Sequence, residues 1–214
     1  LAGRGRLARA IVARNAVPIG ASELRSLPAL ELMVVLGSGS DAIEPAALAA
    51  RGVRMATGRG INAAPVADHA MALLLASLRN LVSLDRAVHA RGWGWTCETP
   101  ASVPHTHLGI VGLGAIGKSI ARRAEAFGMA VAYHGRSPQA DTPHAYYADL
   151  GEMADWCSAL VLCCPGGPAT RHIVNADILA KLGPRGHLVN VARGSVVDTA
   201  ALIEALEVGR IAAA

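Results

Sequence analysis

The stretch His107-Leu108-Gly109-Ile110-Val111-Gly112-Leu113-Gly114-Ala115-Ile116-Gly117 decides the fold. Leu108 to Val111 is an apolar run with the length of a buried strand. It ends in the glycine-spaced turn from Gly112 to Gly117, and Ser119-Ile120-Ala121 opens a helical pattern that closes at Gly128. Taken alone, G-x-G-x-x-G is an ordinary glycine-rich turn. Set between a strand and a helix, it predicts a dinucleotide-binding turn. Gly112 then permits the tight turn, Gly114 lets the backbone approach a pyrophosphate, and Gly117 lets helix and strand pack closely. The free N–H groups at the helix start face the phosphates.

Downstream, strands and helices alternate. Ala130–Tyr133 is the next strand, Asp141–Tyr147 a loop, Gly151–Ser158 a short helix and Ala159–Cys163 a strand. Asn175–Lys181 is a helix with Asp177 in its first turn, and His187–Val191 is a strand. Asp198–Glu207 is a helix capped by Asp198, and Gly209–Ala214 begins one more strand. Right-handed crossovers turn this succession into a parallel sheet with helices on both faces.

Upstream the alternation is finer. Ala8–Ala13 reads as a strand, followed by a helical turn capped by Ser22 and stopped at Pro28. Glu31–Leu36 is a second strand ending in Gly37-Ser38-Gly39-Ser40-Asp41, Glu44–Arg51 a helix, and Val53–Ala56 a third strand. This is a small βαβ domain. Gly58–Asn62 marks the boundary, dividing the chain into 1–60 and 61–214. From Pro65 the residues Val66, Ala70, Leu73, Leu74, Leu78 and Leu81 recur at helical spacing, and the pattern runs to Arg91. A helix over 65–91 is about 39 Å long. That exceeds what one small domain needs and predicts packing on a second subunit, a homodimer; a long intradomain helix is the alternative.

Composition narrows the class. The 214 residues are 52% hydrophobic but only 3% aromatic, so the core is Ala, Val, Leu and Ile, as suits buried parallel strands. The net charge of +4 comes from scattered arginines without a basic run, which argues against nucleic acid and suits a phosphate-bearing small molecule. Four cysteines, including the vicinal Cys163-Cys164, have no metal or secreted-scaffold spacing, and free thiols fit a reducing compartment. No apolar run approaches the roughly 18 residues that span a bilayer, and no signal-peptide pattern opens the chain. The expectation is a cytoplasmic protein with no metal site and no membrane or nucleic-acid partner.

The tip of the second strand of the dinucleotide fold, Tyr133-His134-Gly135-Arg136-Ser137, bears on which dinucleotide binds. A carboxylate there would take the ribose hydroxyls of NAD. Its place is held by a small residue, a guanidinium and a hydroxyl. Arg136 offers a 2′-phosphate a charge-assisted, forked partner and Ser137 a further hydrogen bond, so NADP(H) is expected over NAD(H). The alternative makes Arg136 a solvated surface arginine.

Three further stretches carry a resemblance. They are Cys163-Cys164-Pro165-Gly166-Gly167-Pro168-Ala169-Thr170, Leu188-Val189-Asn190-Val191-Ala192-Arg193-Gly194-Ser195-Val196-Val197-Asp198, and Gly37-Ser38-Gly39-Ser40-Asp41. With the glycine turn, they make the chain resemble the D-isomer-specific 2-hydroxyacid dehydrogenase family, nearest its glyoxylate/hydroxypyruvate and hydroxyphenylpyruvate reductase branch. The resemblance covers the chain from about Ala8, and Asn190–Asp198 is its most specific part. It implies an α/β protein of two Rossmann-like, doubly wound domains. Here these would be an incomplete flavodoxin-like substrate domain followed by a dinucleotide-binding domain, closing about Gly58–Asn62 as a homodimer.

The resemblance also implies roles. Arg193 matches the arginine that binds a 2-oxo acid and polarises its carbonyl, a task suited to a permanently charged fork. On the residues alone, Arg193 is as readily a loop arginine. The backbone N–H groups of Ser38 and Gly39 match a substrate-carboxylate cradle, although a plain strand-end turn reads the same. Ala115 and Ile116 match the pyrophosphate turn, Pro165 and Thr170 the wall beside the cofactor, and Val191 and Ala192 the nicotinamide side.

The family also uses a glutamate and a proton-donating histidine beyond the next strand, and the chain as given ends before either, at Ala214. The front is short by a strand–helix unit. The expectation is a chain truncated at both ends that binds cofactor better than it catalyses. His69 and His172 are expected to be structural or solvent-facing, and Trp93 and Trp95 either pack locally or reach a neighbour's cleft. The whole protein then reads as a reductase that passes hydride from NADPH to a small 2-oxo acid. Its rivals are a non-catalytic NAD(P)-sensing interaction protein and a dehydrogenase of other specificity, for phosphite or formate.

Overall fold

The computed structural model describes residues 4–14, 18–37, 39, 42–92 and 101–214. It divides into two compact units, Leu1–Ala63 and Ala64–Ala214.

The first unit contains strands β1 (Ala10–Arg14), β2 (Leu32–Leu36) and β3 (Arg54–Thr57), with helices α1 (Ala21–Arg25) and α2 (Pro45–Ala49) between them. The strands run parallel in the order β1-β2-β3, with Val12, Val34 and Ala56 in register. Two steps in one direction put both right-handed crossovers on one face. Leu24, Leu27, Met33, Val35 and Leu48 form the core on that face. Val12 and Leu36 stay exposed. The Arg51 guanidinium donates to the carbonyls of Leu24 and Leu27, fixing the end of α1. Ser22 does not cap α1. Helix α1 starts at Ala21, and the Glu23 carboxylate accepts the Gly20 N–H at 2.9 Å. This is the back-reaching half of a capping box: the carboxylate satisfies the N–H of the capping residue itself, while Gly20 has no side chain to accept from the first-turn donors.

The second unit opens with α3 (Ala63–Leu78) and α4 (Leu81–Arg91). The single helix expected over 65–91 is therefore two. Asn80 breaks it by adopting left-handed geometry, φ 54° and ψ 29°. Asparagine tolerates that geometry better than other side-chain-bearing residues. Helix α3 buries Ala67, Ala70, Met71, Leu74 and Leu78, whereas Leu73, Leu81, Val82 and Val88 remain exposed along the pair. Trp93 and Trp95 lie outside the described residues.

There follow β4 (His107–Val111), α5 (Ala115–Ala126), β5 (Ala130–His134), β6 (Ala145–Tyr147), α6 (Leu150–Trp156), β7 (Ala159–Leu162), α7 (Ala176–Leu182), β8 (His187–Asn190) and α8 (Thr199–Glu207). The sheet is parallel with order β6-β5-β4-β7-β8. Strand β6 falls in the segment expected as loop; it is a three-residue edge strand paired only to β5. The expected strand at Gly209–Ala214 is a single bridge between Ala213 and His187. Asp198 does cap α8, accepting from Ala200 and Ala201, and Asn175 caps α7 in the same way.

Progress from β4 through β5 to β6, then across to β7 and β8, reverses direction once. The reversal places crossovers on opposite faces, giving two cores. Helices α3 and α5 pack with Leu108, Ile110 and Tyr133 on one face. Helices α6, α7 and α8 pack with Leu160, Leu162 and Leu188 on the other. Strands β4 and β7 flank the switch point, and their carboxyl ends are where ligands bind in open sheets of this kind.

Candidate functional site

At the end of β4 the chain turns through Gly112, at φ +98°, a conformation that disfavours side chains. Space forbids them as well, because a Cβ on Gly112 would meet the Cα of Cys164 at 2.8 Å. A Cβ on Gly117 would run into the carbonyl oxygen of Gly112. Packing thus dictates both glycines. Gly114 differs. Its φ is −81° and a Cβ there would meet nothing within 4 Å.

Gly114 is also the N-cap of α5, and it supplies no side-chain acceptor; the first turn carries no carboxylate. The helices α6, α7 and α8 of the same unit begin with Asp149, Asn175 and Asp198 as caps. The first intrahelical bond of α5 is Lys118 N–H to Gly114 O. The N–H groups of Ala115, Ile116 and Gly117 therefore point out at the positive end of the helix, an anion-binding arrangement.

Under the turn lies Cys163, whose thiol donates to the Gly112 carbonyl at 3.0 Å. Burial pushes that thiol up to about 12, so it works as a packing group and weak donor. Cys157, Cys163 and Cys164 are free thiols. After β7, Thr170 Oγ1 donates to the Pro165 carbonyl at 2.7 Å, closing the Pro165–Thr170 loop.

The loop after β5 presents Arg136 and Ser137 as exposed side chains. It is tied at both ends. Tyr146 donates to the Gly135 carbonyl at 3.1 Å, the Gln139 N–H donates to the Tyr133 hydroxyl at 2.7 Å, and the Gln139 side chain donates to the Leu113 carbonyl at 2.9 Å.

After β8 the chain carries Val191, Ala192 and Arg193. The Asn190 side chain spans this turn: its Oδ1 accepts the Ala192 N–H and its Nδ2 donates to the Arg193 carbonyl, each at 2.9 Å. The Arg193 guanidinium, exposed, donates to the Ala192 carbonyl at 2.8 Å. Asn190, Val191 and Ala192 border an open depression of about 480 Å³ whose other wall is Pro65, Val66, His69 and Leu73 of α3.

The cofactor-facing residues expected from the sequence, with Arg193, thus follow the carboxyl ends of β4, β5, β7 and β8 in one sheet. Gly39 belongs to the first unit and Ser38 lies outside the described residues. His69 lines the depression, and His172 sits 3.8 Å from Asp198 across the loop after β7. Sequence reasoning missed Asn190, Gln139 and the two tyrosines. Only Asn190 left a local signal, an Asn two residues before a turn N–H. Among the described residues no three His, Cys, Asp or Glu side chains gather as a metal site. No helix among them is long and apolar enough to cross a membrane.

These residues fit a dinucleotide. Gly114 is the one of the three turn glycines that the protein's own packing leaves unexplained, and its bare backbone leaves room for a phosphate group to approach.

Comparison with known proteins agrees. Residues 71–214 match the family model described as D-isomer specific 2-hydroxyacid dehydrogenase, NAD binding domain. The chain is 35% identical over 209 residues to a glyoxylate/hydroxypyruvate reductase of Arabidopsis thaliana, covering 97% of this chain and 65% of that protein. It is 40% identical over 190 residues to a 2-ketogluconate reductase of Gluconobacter oxydans, covering 88% and 61%. The crystal structure of an NADPH-dependent glyoxylate/hydroxypyruvate reductase of Sinorhizobium meliloti, in complex with NADP and malonate, superimposes with TM-score 0.91 at 36% identity. It covers all of this chain and 67% of that one. The chain thus spans less than two thirds of the length of the two curated relatives.

Proposed function

The chain belongs to the D-isomer specific 2-hydroxyacid dehydrogenase family, and from that premise we propose that the protein reduces small 2-oxo acids of the glyoxylate/hydroxypyruvate type with NADPH. The observation that carries the proposal is the Asn190-braced turn that presents Arg193 beside Val191 and Ala192, on the same sheet edge as the glycine turn.

The N–H groups of Ala115, Ile116 and Gly117 hold the pyrophosphate at the start of α5. Arg136 and Ser137 take the 2′-phosphate, and no carboxylate at the tip of β5 repels it. Pro165 and Thr170 wall the site, and Val191 and Ala192 lie on the nicotinamide side. When bound, the cofactor would supply hydride; the proton that completes the hydroxyl would come from the proton-donating histidine that the family resemblance implies outside residues 1–214. Arg193 binds the substrate's carboxylate and carbonyl oxygens and stabilises the negative charge that grows on the carbonyl oxygen. Its planar fork of donors suits both tasks.

The exposed apolar residues Leu73, Leu81, Val82 and Val88 along α3 and α4 support assembly as a homodimer through that pair. Free thiols at Cys157, Cys163 and Cys164 suit the cytoplasm.

The test follows NADPH oxidation with glyoxylate and with hydroxypyruvate on a full-length protein that includes these residues together with the glutamate and proton-donating histidine that the family resemblance implies. Turnover with at least one acid, lowered about 10²–10³-fold in kcat/KM by Arg193→Ala, is the expected result. Tight NADPH binding with no turnover on any 2-oxo acid would overturn it.

A further inference from the structure

The loop that carries Arg136 and Ser137 has no secondary structure, yet three side chains hold it. Tyr146 fixes its start through the Gly135 carbonyl at 3.1 Å, and Tyr133 fixes its end through the Gln139 N–H at 2.7 Å. The rings of Tyr133 and Tyr146 pack on each other, tilted by 50° with centroids 5.4 Å apart, and Tyr133 is fully buried. The two hydroxyls that grip the loop are therefore held by one aromatic pair, rooted on neighbouring strands that pair Tyr133 with Tyr146. The third tie leaves the loop altogether: the Gln139 carboxamide donates to the carbonyl of Leu113, inside the glycine turn, at 2.9 Å. That bond couples the Arg136 loop to the segment proposed to hold the pyrophosphate. Just beyond, Lys118 of α5 pairs with Asp141 at 2.6 Å.

We propose that Gln139 and Tyr146 are positioning residues for cofactor selection, fixing the Arg136 loop against the glycine turn so that a 2′-phosphate meets a preformed partner. The proposal rests on the reading of Arg136 as the 2′-phosphate ligand. Its physical basis is preorganisation. A guanidinium on an untethered loop must be ordered when ligand binds, and that ordering is subtracted from affinity. A tethered one has already met that cost in folding. NADH has no group for Arg136 to hold, so loosening the loop affects its binding little. Discrimination between the two cofactors, more than affinity in general, is what the ties set.

The experiment measures dissociation constants for NADPH and NADH, by protein fluorescence or calorimetry, on this chain and on Tyr146→Phe, Gln139→Ala, Arg136→Ala and Arg136→Ala/Gln139→Ala. Tyr146→Phe keeps the ring and its packing and deletes only the hydroxyl, so it carries the test if Gln139→Ala does not fold. Tyr146→Phe and Gln139→Ala are each expected to weaken NADPH about tenfold while NADH stays within about twofold. In the Arg136→Ala background, Gln139→Ala changes the NADPH-to-NADH ratio no further, as required if it acts through Arg136. If Arg136→Ala lowers the ratio while Tyr146→Phe and Gln139→Ala leave it unchanged, or weaken both cofactors equally, the positioning role is wrong and the reading of Arg136 stands. If Arg136→Ala itself leaves the ratio unchanged, that reading fails and the positioning role with it.

Discussion

The carbonyl oxygen of Gly112 occupies the place where a side chain on Gly117 would begin, whereas Gly114, between them in sequence, faces open space. The two kinds of glycine predict opposite outcomes for the same substitution. Gly117→Ala forces backbone apart and is expected to cost about 1–3 kcal/mol of stability, as overpacked sites do. Gly114→Ala is expected to cost about 1 kcal/mol or less, the usual scale for an N-cap change. Its dinucleotide affinity falls at least tenfold, roughly 1.4 kcal/mol. Thermal melts and dissociation constants on the two variants separate the effects. Retained affinity in Gly114→Ala would remove the ligand from that turn.

Arg193→Ala is expected to lower kcat/KM about 10²–10³-fold, the scale for deleting one group that stabilises a developing oxyanion. Cofactor affinity should be unchanged. Arg193→Lys should recover little, since an ammonium cannot fork to carboxylate and carbonyl together. Asn190→Ala removes both bonds that brace the turn and is expected to fall between wild type and Arg193→Ala. Steady-state kinetics of the full-length protein with the best 2-oxo acid decides this. An Asn190→Ala enzyme with full activity would show that the brace is dispensable.

What the sequence made legible is local. The glycine turn, the cap Asp198 and the buried strands β4 and β7 follow from spacings within a few residues, because neighbouring backbone groups create the requirement. The break at Asn80 does not show, since Leu78, Leu81 and Leu84 continue the helical period across it and one left-handed residue leaves no gap in the pattern. Strand β6 escaped because a three-residue edge strand is too short for an alternation to register. Gln139 and Tyr146 act on carbonyls 26 and 11 residues away, partners that no local pattern names. Arg193 shows the other limit. Its chemistry was readable only through family resemblance, because a lone arginine in a loop has no signature of its own.

The same left-handed position is a test of the helix break. Asn80→Gly should leave stability unchanged within about 0.5 kcal/mol, while Asn80→Ala should cost about 1 kcal/mol, the penalty of a Cβ in that region. Denaturant melts of the three proteins check it. Stabilisation by Asn80→Ala would mean that α3 and α4 prefer to join.

The last prediction concerns His187, at the start of β8, whose ring lies 2.7 Å from the hydroxyl of Ser77 on α3. Burial lowers its pKa below the ordinary 6.5, since desolvation penalises the imidazolium. In the folded protein the ring thus stays neutral to lower pH than in the unfolded chain. The unfolded state binds the extra proton, so this contribution is fully present above pH 6.5 and is lost as pH falls toward the folded value. The unfolding free energy should therefore fall between pH 7.5 and 5, by at most about 1.4 kcal/mol per pH unit from this one proton, and the melting temperature falls with it. His187→Asn removes the titration and should flatten that part of the profile. Ser77→Ala removes the bond between α3 and β8 but leaves the ring buried, so it should lower the whole curve and keep its slope. A His187→Asn profile as steep as that of wild type would remove His187 as the source of that acid sensitivity, since Asp141 and Asp149, which hydrogen bonds from Lys118 and from the Glu152 N–H hold below the ordinary 3.8, lose their contribution only at lower pH.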